Sequence, residues 1–240
     1  MNRKISFSNA PIALLVATII LSCIFLTKAT EAKVWPLDSL VRYGKNIKFE
    51  IFRNNNKVGQ HEVRFVKMKD GWRVITIVTL DIPFLFFKTL TFDYLSLAKW
   101  DARGLKTLRV KGNDDGDHFY LKAFRLKNQL KILTKENSYT EQTSVFPTNH
   151  WNPNVLSSNR VLNTVTGNIN HVNILKKEYE LVNTEKGMIQ ATRYIYRGDI
   201  ETEVWYDKSG RWVKMQFQVS DGSTLQYKCL RCQGGHEIPY

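Results

Sequence analysis

Side chains able to bind or transform a ligand are concentrated in the short segment Asn149-His150-Trp151-Asn152. The segment offers hydrogen-bond donors, acceptors and an aromatic face. Pro147 and Pro153 flank it, which is typical of an irregular connection, and binding residues concentrate on such connections. We therefore predict a ligand-binding site here, which Asn163 and Thr164 join from one short element away. The alternative is a polar plug at the end of a barrel, in which the asparagines bond turn backbone.

A second candidate lies in the acidic segment Asn113-Asp114-Asp115-Gly116-Asp117-His118 of an otherwise basic chain. Its oxygen ligands could bind Ca²⁺, and His118 beside Asp117 could perform acid–base chemistry. The segment lacks the bidentate glutamate of an EF-hand loop, and Asp-Gly is a strong hairpin-turn signal. We expect a hairpin turn, and we keep Asp114 and Asp115 as candidate ligand contacts.

The segment Ile82-Pro83-Phe84-Leu85-Phe86-Phe87 is the most apolar stretch outside the N-terminal region. Together with Lys88 it could dip into a membrane or line a lipid cavity. Phe84 and Phe86 are therefore candidate contacts for an apolar ligand. The alternative is a buried pair of strands bent at Pro83.

Cys229 and Cys232, with His236 further on, form the last cluster with chemical potential. A redox Cys-x-x-Cys motif opens a helix near a βαβ unit, which is not predicted here, and this cluster is one ligand short of a structural zinc site. We predict a local disulfide or a nonessential tail. The sequence contains no hydrolase, metalloprotease or nucleotide-binding signature. We therefore assign no catalytic residue, metal or cofactor.

Residues 1–32 are predicted to be a secretory signal peptide. A basic start at Arg3-Lys4 precedes an apolar run from Pro11 to Leu26, and small residues favour cleavage after Ala32, with Ala29 as second choice. An uncleaved membrane anchor is one alternative, because the run is almost long enough to span a bilayer. Lipidation of Cys23 is another, because the residues before it loosely resemble a lipobox. In every case the remaining chain is expected outside the cytoplasm, in the periplasm or associated with the envelope.

Strands must position these groups, because period-two alternation of apolar and polar residues dominates from about residue 47 onward. Turn signals recur every 8–12 residues or so, which predicts eleven or twelve strands in one all-β, mainly antiparallel domain over residues 33–240. One short helix is expected over Asn154–Asn163, capped by Asn152. A single helix cannot cover so many strands, so the sheet must curl into a half-barrel or barrel, which tends to leave a cavity.

The charge of the chain favours anionic partners. The 240 residues carry 35 Lys+Arg against 22 Asp+Glu, a formal net charge of +13, and 43% are hydrophobic, which excludes a disordered chain. An anionic envelope surface is a possible partner, although lysines of an AT-rich genome on solvated faces would give the same balance. The chain has no long basic block and no interleaving of aromatic residues with arginine, so a nucleic-acid partner is not expected. The oligomeric state is not indicated.

Three motifs resemble an uncharacterised family of exported bacterial proteins, a domain of unknown function. They are Pro147-Thr148-x-x-Trp151-Asn152-Pro153, Leu162-Asn163-Thr164-x-Thr166-Gly167 and Trp205-Tyr206-Asp207-x-x-Gly210-Arg211-Trp212-Val213, and an Asp114-Asp115-Gly116 turn is also shared. Asn149 and His150 depart from the family pattern. The resemblance covers about residues 49–227 and implies export but no activity. The expected architecture also loosely resembles periplasmic lipoprotein-carrier folds, an analogy of fold alone.

These observations predict an exported envelope protein that binds an apolar or amphipathic, lipid-like ligand in the concave face of its sheet. One alternative is an envelope hydrolase acting on a cell-wall or lipid substrate through His150, Asp114 or Asp115. A scaffold without a small ligand is the other.

Overall fold

The computed structural model describes residues 42–84, 88–219 and 221–234. All of them belong to one compact unit, Lys33–Tyr240. The predicted signal peptide, Cys23, Phe86 and His236 lie outside the described residues, and Phe84 is described only through the backbone of its strand. No helix in the described part of the chain is long and apolar enough to cross a membrane.

The described residues form fifteen strands in one sheet. The strands are β1 (Asn46–Arg53), β2 (Asn56–Met68), β3 (Gly71–Phe84), β4 (Lys88–Asp101), β5 (Gly104–Asp114), β6 (Asp117–Leu126), β7 (Gln129–Thr134), β8 (Ser138–Gln142), β9 (Phe146–Pro147), β10 (Arg160–Leu162), β11 (Ile169–Thr184), β12 (Gly187–Gly198), β13 (Thr202–Asp207), β14 (Trp212–Gln218) and β15 (Thr224–Arg231). The alternation of apolar and polar residues explains why these segments form strands. In β1, for example, Ile47, Phe49 and Ile51 are buried and the residues between them are half-buried.

The sheet curls because its two edges are joined by a very short connection. Its order is β8-β7-β6-β5-β4-β3-β2-β1-β15-β14-β13-β12-β11-β10-β9, and only residues 143–145 separate edge strand β8 from edge strand β9. That connection spans at most about 15 Å, whereas a flat sheet of this width would place its edges about 65 Å apart. The strands pair antiparallel except β9 with β10, and the edges do not close into a barrel. The predicted all-β, mainly antiparallel curled sheet is thus confirmed.

The predicted helix over Asn154–Asn163 is much shorter in the structure. A 3-10 helix covers Pro153–Ser157, with Asn152 as its N-cap and the Asn152 side chain accepting a bond from the backbone N of Asn154. The remaining residues instead extend into β10, because pairing with β11 satisfies their backbone groups. Strands β8, β9 and β10 exceed the eleven or twelve predicted, since β8 has a single apolar residue, Tyr139, and β9 and β10 are too short to show alternation.

The core lies on the concave side of the sheet and is completed by the two segments that flank β10, residues 148–159 and 163–168, which we call the plug. Trp151 and Val155 of the plug are 2% and 1% exposed. The Trp151 ring meets Phe65 of β2 and Trp100 of β4 edge-on, at centroid distances of 5.5 and 5.4 Å. Aromatic contacts of this kind add to the burial of apolar area, so they fix the plug against the sheet.

Candidate functional site

A cavity of about 460 Å³ lies on the concave face beside the plug. Most of its wall is apolar and comes from β2, β3, β4, β14 and β15. The aliphatic lining residues are Val63, Val78, Leu80, Ile82, Leu90, Val165, Met215, Val219 and Leu225, and the aromatic ones from these strands are Phe92, Tyr94, Trp212, Phe217 and Tyr227. The plug contributes most of the polar side chains of the wall, and His61 of β2, Thr91 of β4 and Asp114 of β5 add the others, so the cavity has an apolar body and a polar end.

The plug carries Asn149, His150 and Trp151 to the cavity. Tyr206 of β13 donates a hydrogen bond from its hydroxyl to the backbone carbonyl of His150, at 2.7 Å. The backbone N of Asn149 donates to the carbonyl of Pro147 at 2.6 Å. These bonds fix the backbone of the segment, so its side chains face the cavity from a defined position.

A chain of hydroxyl groups joins the plug to β4. Tyr94 donates from its hydroxyl to Thr164 Oγ1 at 2.9 Å, and Thr164 Oγ1 lies 3.3 Å from Thr148 Oγ1. Burial raises the pKa of Tyr94, so its hydroxyl stays protonated. Tyr94, Thr148 and Thr164 all line the cavity, and their hydroxyl groups are hydrogen-bonded to one another within its wall.

His61 of β2 is a lining residue that sequence reasoning did not select. It lies on the same strand face as Val63 and Phe65, which are 1% and 5% exposed. Its ring centroid is 5.3 Å from that of Trp212, and the ring of His150 approaches the same indole at 5.5 Å. The available signal was a histidine at an inward-facing position of an alternating strand.

Both histidines are held neutral by their surroundings. Burial, with a smaller contribution from His150, lowers the pKa of His61 to about 3, and burial lowers the pKa of His150 to about 4. Both ring nitrogens of His61, Nδ1 of His150 and Nδ2 of Asn149 are buried without a hydrogen-bond partner among the described residues. Polar groups of this kind are costly to bury unpaired.

Charge is almost absent from this wall. Among the lining residues whose side chains are described, Asp114 alone carries a formal charge at neutral pH. None of the Lys and Arg residues whose side chains are described lines the cavity. The cavity therefore suits an uncharged group better than an ion.

Other predicted site residues lie outside the cavity wall. Asn152 is 5% exposed and caps the 3-10 helix, and Asn163 Oδ1 accepts bonds from the backbone N of Val165 and Thr166 at 3.0 and 3.2 Å. Both asparagines thus satisfy turn backbone, as in the plug alternative. Asp115 has a φ of 48° in the turn between β5 and β6, so this segment is the expected hairpin turn.

Cys229 and Cys232 are joined by a disulfide with Cα atoms 5.8 Å apart. Glu185 accepts bonds from the backbone N of Cys232 and Gln233, at 2.8 and 2.6 Å. Within the described part of the chain, Glu185 and these cysteines are the only group of three or more His, Cys, Asp or Glu residues close enough to hold a metal ion. None of these residues lines the cavity.

The motif Trp205–Val213 forms the turn that places Trp212 in the cavity wall. Asp207 and Arg211 are both buried, and the Asp207 carboxylate accepts bonds from Arg211 Nε at 2.6 Å and from the backbone N of Arg211 and Ser209 at 2.9 Å. The next backbone N, that of Trp212, donates to the hydroxyl of Tyr43 at 2.7 Å. The residues of this motif are therefore explained by their structural role in the turn rather than by a catalytic role.

Comparison with known proteins agrees with this description. A family model described as a domain of unknown function, DUF6134, matches residues 49–230, which confirms the resemblance to an uncharacterised family. A crystal structure of a beta-barrel-like protein of another domain of unknown function, DUF1849, from Brucella abortus superposes with a TM-score of 0.57 at 10% identity, and covers 78% of this chain and 96% of that one. At this identity the likeness concerns the fold alone. No curated protein matches the chain by sequence.

Proposed function

The chain belongs to the DUF6134 family, and we propose that it is an exported envelope protein that binds an apolar or amphipathic, lipid-like ligand in the cavity on the concave face of its sheet. The observation that carries this proposal is the cavity itself, which combines an apolar body with a polar end. Burial of apolar ligand surface against such a wall is the main source of binding free energy.

The size of the cavity supports a small-molecule ligand. Its volume of about 460 Å³ lies within the range of roughly 300–1,000 Å³ found for small-molecule sites. Well-packed protein interiors contain few voids larger than a water molecule. An apolar cavity of this size is therefore costly to keep in a protein that is only a scaffold, and a bound apolar ligand would offset that cost.

The arrangement of polar groups favours binding over hydrolysis. A hydrolytic site needs a nucleophile bonded to a base, and the base bonded to a group that orients it. His150 Nδ1 has no hydrogen-bond partner among the described residues, and the hydroxyls of Thr148 and Thr164 bond to each other instead. Of the other two residues of the enzyme alternative, Asp115 lies in a hairpin turn and does not line the cavity, whereas Asp114 lines the cavity but does not bond to His150 Nδ1.

Two features support the proposal that the protein is exported. The predicted signal peptide at residues 1–32 would direct the chain out of the cytoplasm. The disulfide between Cys229 and Cys232 supports an oxidising compartment, where such bonds persist. A lipid-binding protein in the envelope would have access to its ligand there.

The test is to identify what the protein carries. The full chain is produced in an exporting host, purified without detergent and extracted with organic solvent, and bound molecules are identified by mass spectrometry. We expect lipid at about one molecule per chain, and we expect the neutral fluorescent probe N-phenyl-1-naphthylamine to bind after extraction. A folded protein that yields no lipid and binds no probe would overturn the proposal.

A matched pair of variants locates the site. Phe217 lines the cavity and its neighbour Gln218 is exposed on the other face of β14. Phe217→Glu places a carboxylate in the apolar wall and should weaken probe binding at least about tenfold, whereas Gln218→Glu adds the same charge outside and should leave binding unchanged. Equal effects of the two variants would place the probe elsewhere on the molecule.

A further inference from the structure

The polar end of the cavity contains more hydrogen-bonding capacity than the protein itself uses. His61, His150 and Asn149 all line the cavity, and four of their nitrogen atoms are buried without a partner among the described residues. The rings of both histidines contact Trp212, at centroid distances of 5.3 Å for His61 and 5.5 Å for His150. A purely apolar ligand would leave all of these nitrogens unsatisfied.

The chemistry of these groups defines what can satisfy them. A neutral imidazole has one N–H donor and one acceptor nitrogen, and an asparagine amide nitrogen donates only. The pair of rings, held neutral by burial, therefore offers both donors and acceptors. A hydroxyl group matches this set, because it donates one bond and accepts others.

The absence of compensating charge argues against an ionic head group. No Lys or Arg is present among the lining residues whose side chains are described, and the carboxylate of Asp114 lies in the same wall. A carboxylate or phosphate brought into this cavity would lose its hydration without gaining an ion pair, and Asp114 would repel it.

We propose that His61, His150 and Asn149 bind the uncharged, hydroxyl-bearing head of a single-chain amphiphile whose tail lies along the apolar strands. This inference rests on the proposed function and specifies its ligand class. It predicts discrimination between head groups on the same tail, a property that an unspecific apolar cavity would lack.

The first test compares three ligands with the same twelve-carbon chain on the wild-type protein. After removal of bound lipid, 1-dodecanol, dodecanoate and dodecane are each used to displace N-phenyl-1-naphthylamine at neutral pH. We expect dodecanol to bind about tenfold more tightly than either of the others, which corresponds to about 1.4 kcal/mol. Equal affinities for the three ligands, or tighter binding of dodecanoate, would overturn the inference.

The second test assigns the preference to the histidines. His61→Phe and His150→Phe keep an aromatic ring against Trp212 but remove the nitrogens, so the preference for dodecanol over dodecane should fall to about threefold or less in each. His171→Phe is the matched control, because His171 is exposed on β11 and outside the cavity wall. An unchanged preference in both cavity variants would overturn the assignment.

The outcomes separate this inference from the proposed function. Probe binding without head-group discrimination keeps the cavity as a lipid site and rejects the hydroxyl specificity. Loss of probe binding by the wild-type protein rejects both. If a phenylalanine variant fails to fold, His61→Gln or His150→Gln replaces it, because glutamine keeps hydrogen-bonding groups at that position. The ligand series on the wild-type protein tests head-group discrimination without any variant.

Discussion

Acidification should destabilise this protein through two cavity histidines before its carboxylates titrate. His61 and His150 have pKa values lowered to about 3 and 4 by burial, against an ordinary value of about 6.5. Because the folded-state pKa values are lowered, the unfolded chain binds more protons between pH 6.5 and 4. The stability conferred by the neutral rings is therefore fully present above pH 6.5 and is lost as the pH falls.

The size of the effect follows from the linkage relation. At pH 5 the unfolded state holds nearly two more protons on these residues than the folded state does, so the slope is about 2.5 kcal/mol per pH unit. Integrated from pH 7 to pH 5, the free energy of unfolding should fall by about 4 kcal/mol. The carboxyl of Glu62, whose pKa a hydrogen bond from Arg64 lowers to about 2, contributes only below this window.

Urea unfolding monitored by tryptophan fluorescence at pH 7, 6 and 5 measures this loss. His61→Phe should reduce the loss to about half, to about 2 kcal/mol, because one titrating group is removed. His171→Phe, an exposed replacement on β11, is the control for removing a histidine outside the cavity wall. A loss under about 1 kcal/mol in the wild-type protein, or an identical loss in His61→Phe, would refute the reasoning.

Three further substitutions test the elements that hold the cavity wall. Asp207→Asn should lower the free energy of unfolding by about 3–5 kcal/mol, because it leaves the buried charge of Arg211 unpaired; adding Arg211→Met should recover about 1–3 kcal/mol of this. Tyr94→Phe should cost about 1–2 kcal/mol, because it removes the buried bond to Thr164. Asn152→Ala should cost about 1 kcal/mol through loss of the helix cap. Urea unfolding at neutral pH measures all of them.

Exposed residues of the same type provide the controls. Asp199→Asn, Tyr120→Phe and Asn154→Ala change side chains on the surface and should alter the free energy of unfolding by no more than about 0.5 kcal/mol each. A control that costs as much as its buried counterpart would show that the packing around Asp207, Tyr94 or Asn152 is not responsible.

The fold was predictable because alternation reports directly on which face of a strand is buried. In β1 and β2 the buried residues are all apolar, namely Ile47, Phe49, Ile51, Val58, Val63 and Phe65. The curl of the sheet was predictable because the sequence indicates too few helices to cover its apolar face. Strands β9 and β10 were not predictable, since two or three residues carry no periodicity and their pairing depends on the plug.

The sequence identified only some of the residues that line the cavity. Asn149, His150, Trp151, Thr164 and Asp114 line the cavity, whereas Asn152, Asn163 and Asp115 serve turns. An asparagine before a helix and an asparagine in a binding wall look alike in sequence, because both act through the same amide. Distinguishing them requires the position of the backbone that each one faces.

The cavity exists because the plug is too small for the sheet that it covers. Trp151 fills the space between Phe65 and Trp100, whereas Phe217 of β14 and Tyr227 of β15 line the open cavity. His61 and His150 lie at the boundary between the filled part and the open part, against Trp212. A polar group at such a boundary gains a hydrogen-bond partner only when a molecule occupies the open part. A matching ligand therefore fills the cavity and satisfies the histidines at the same time.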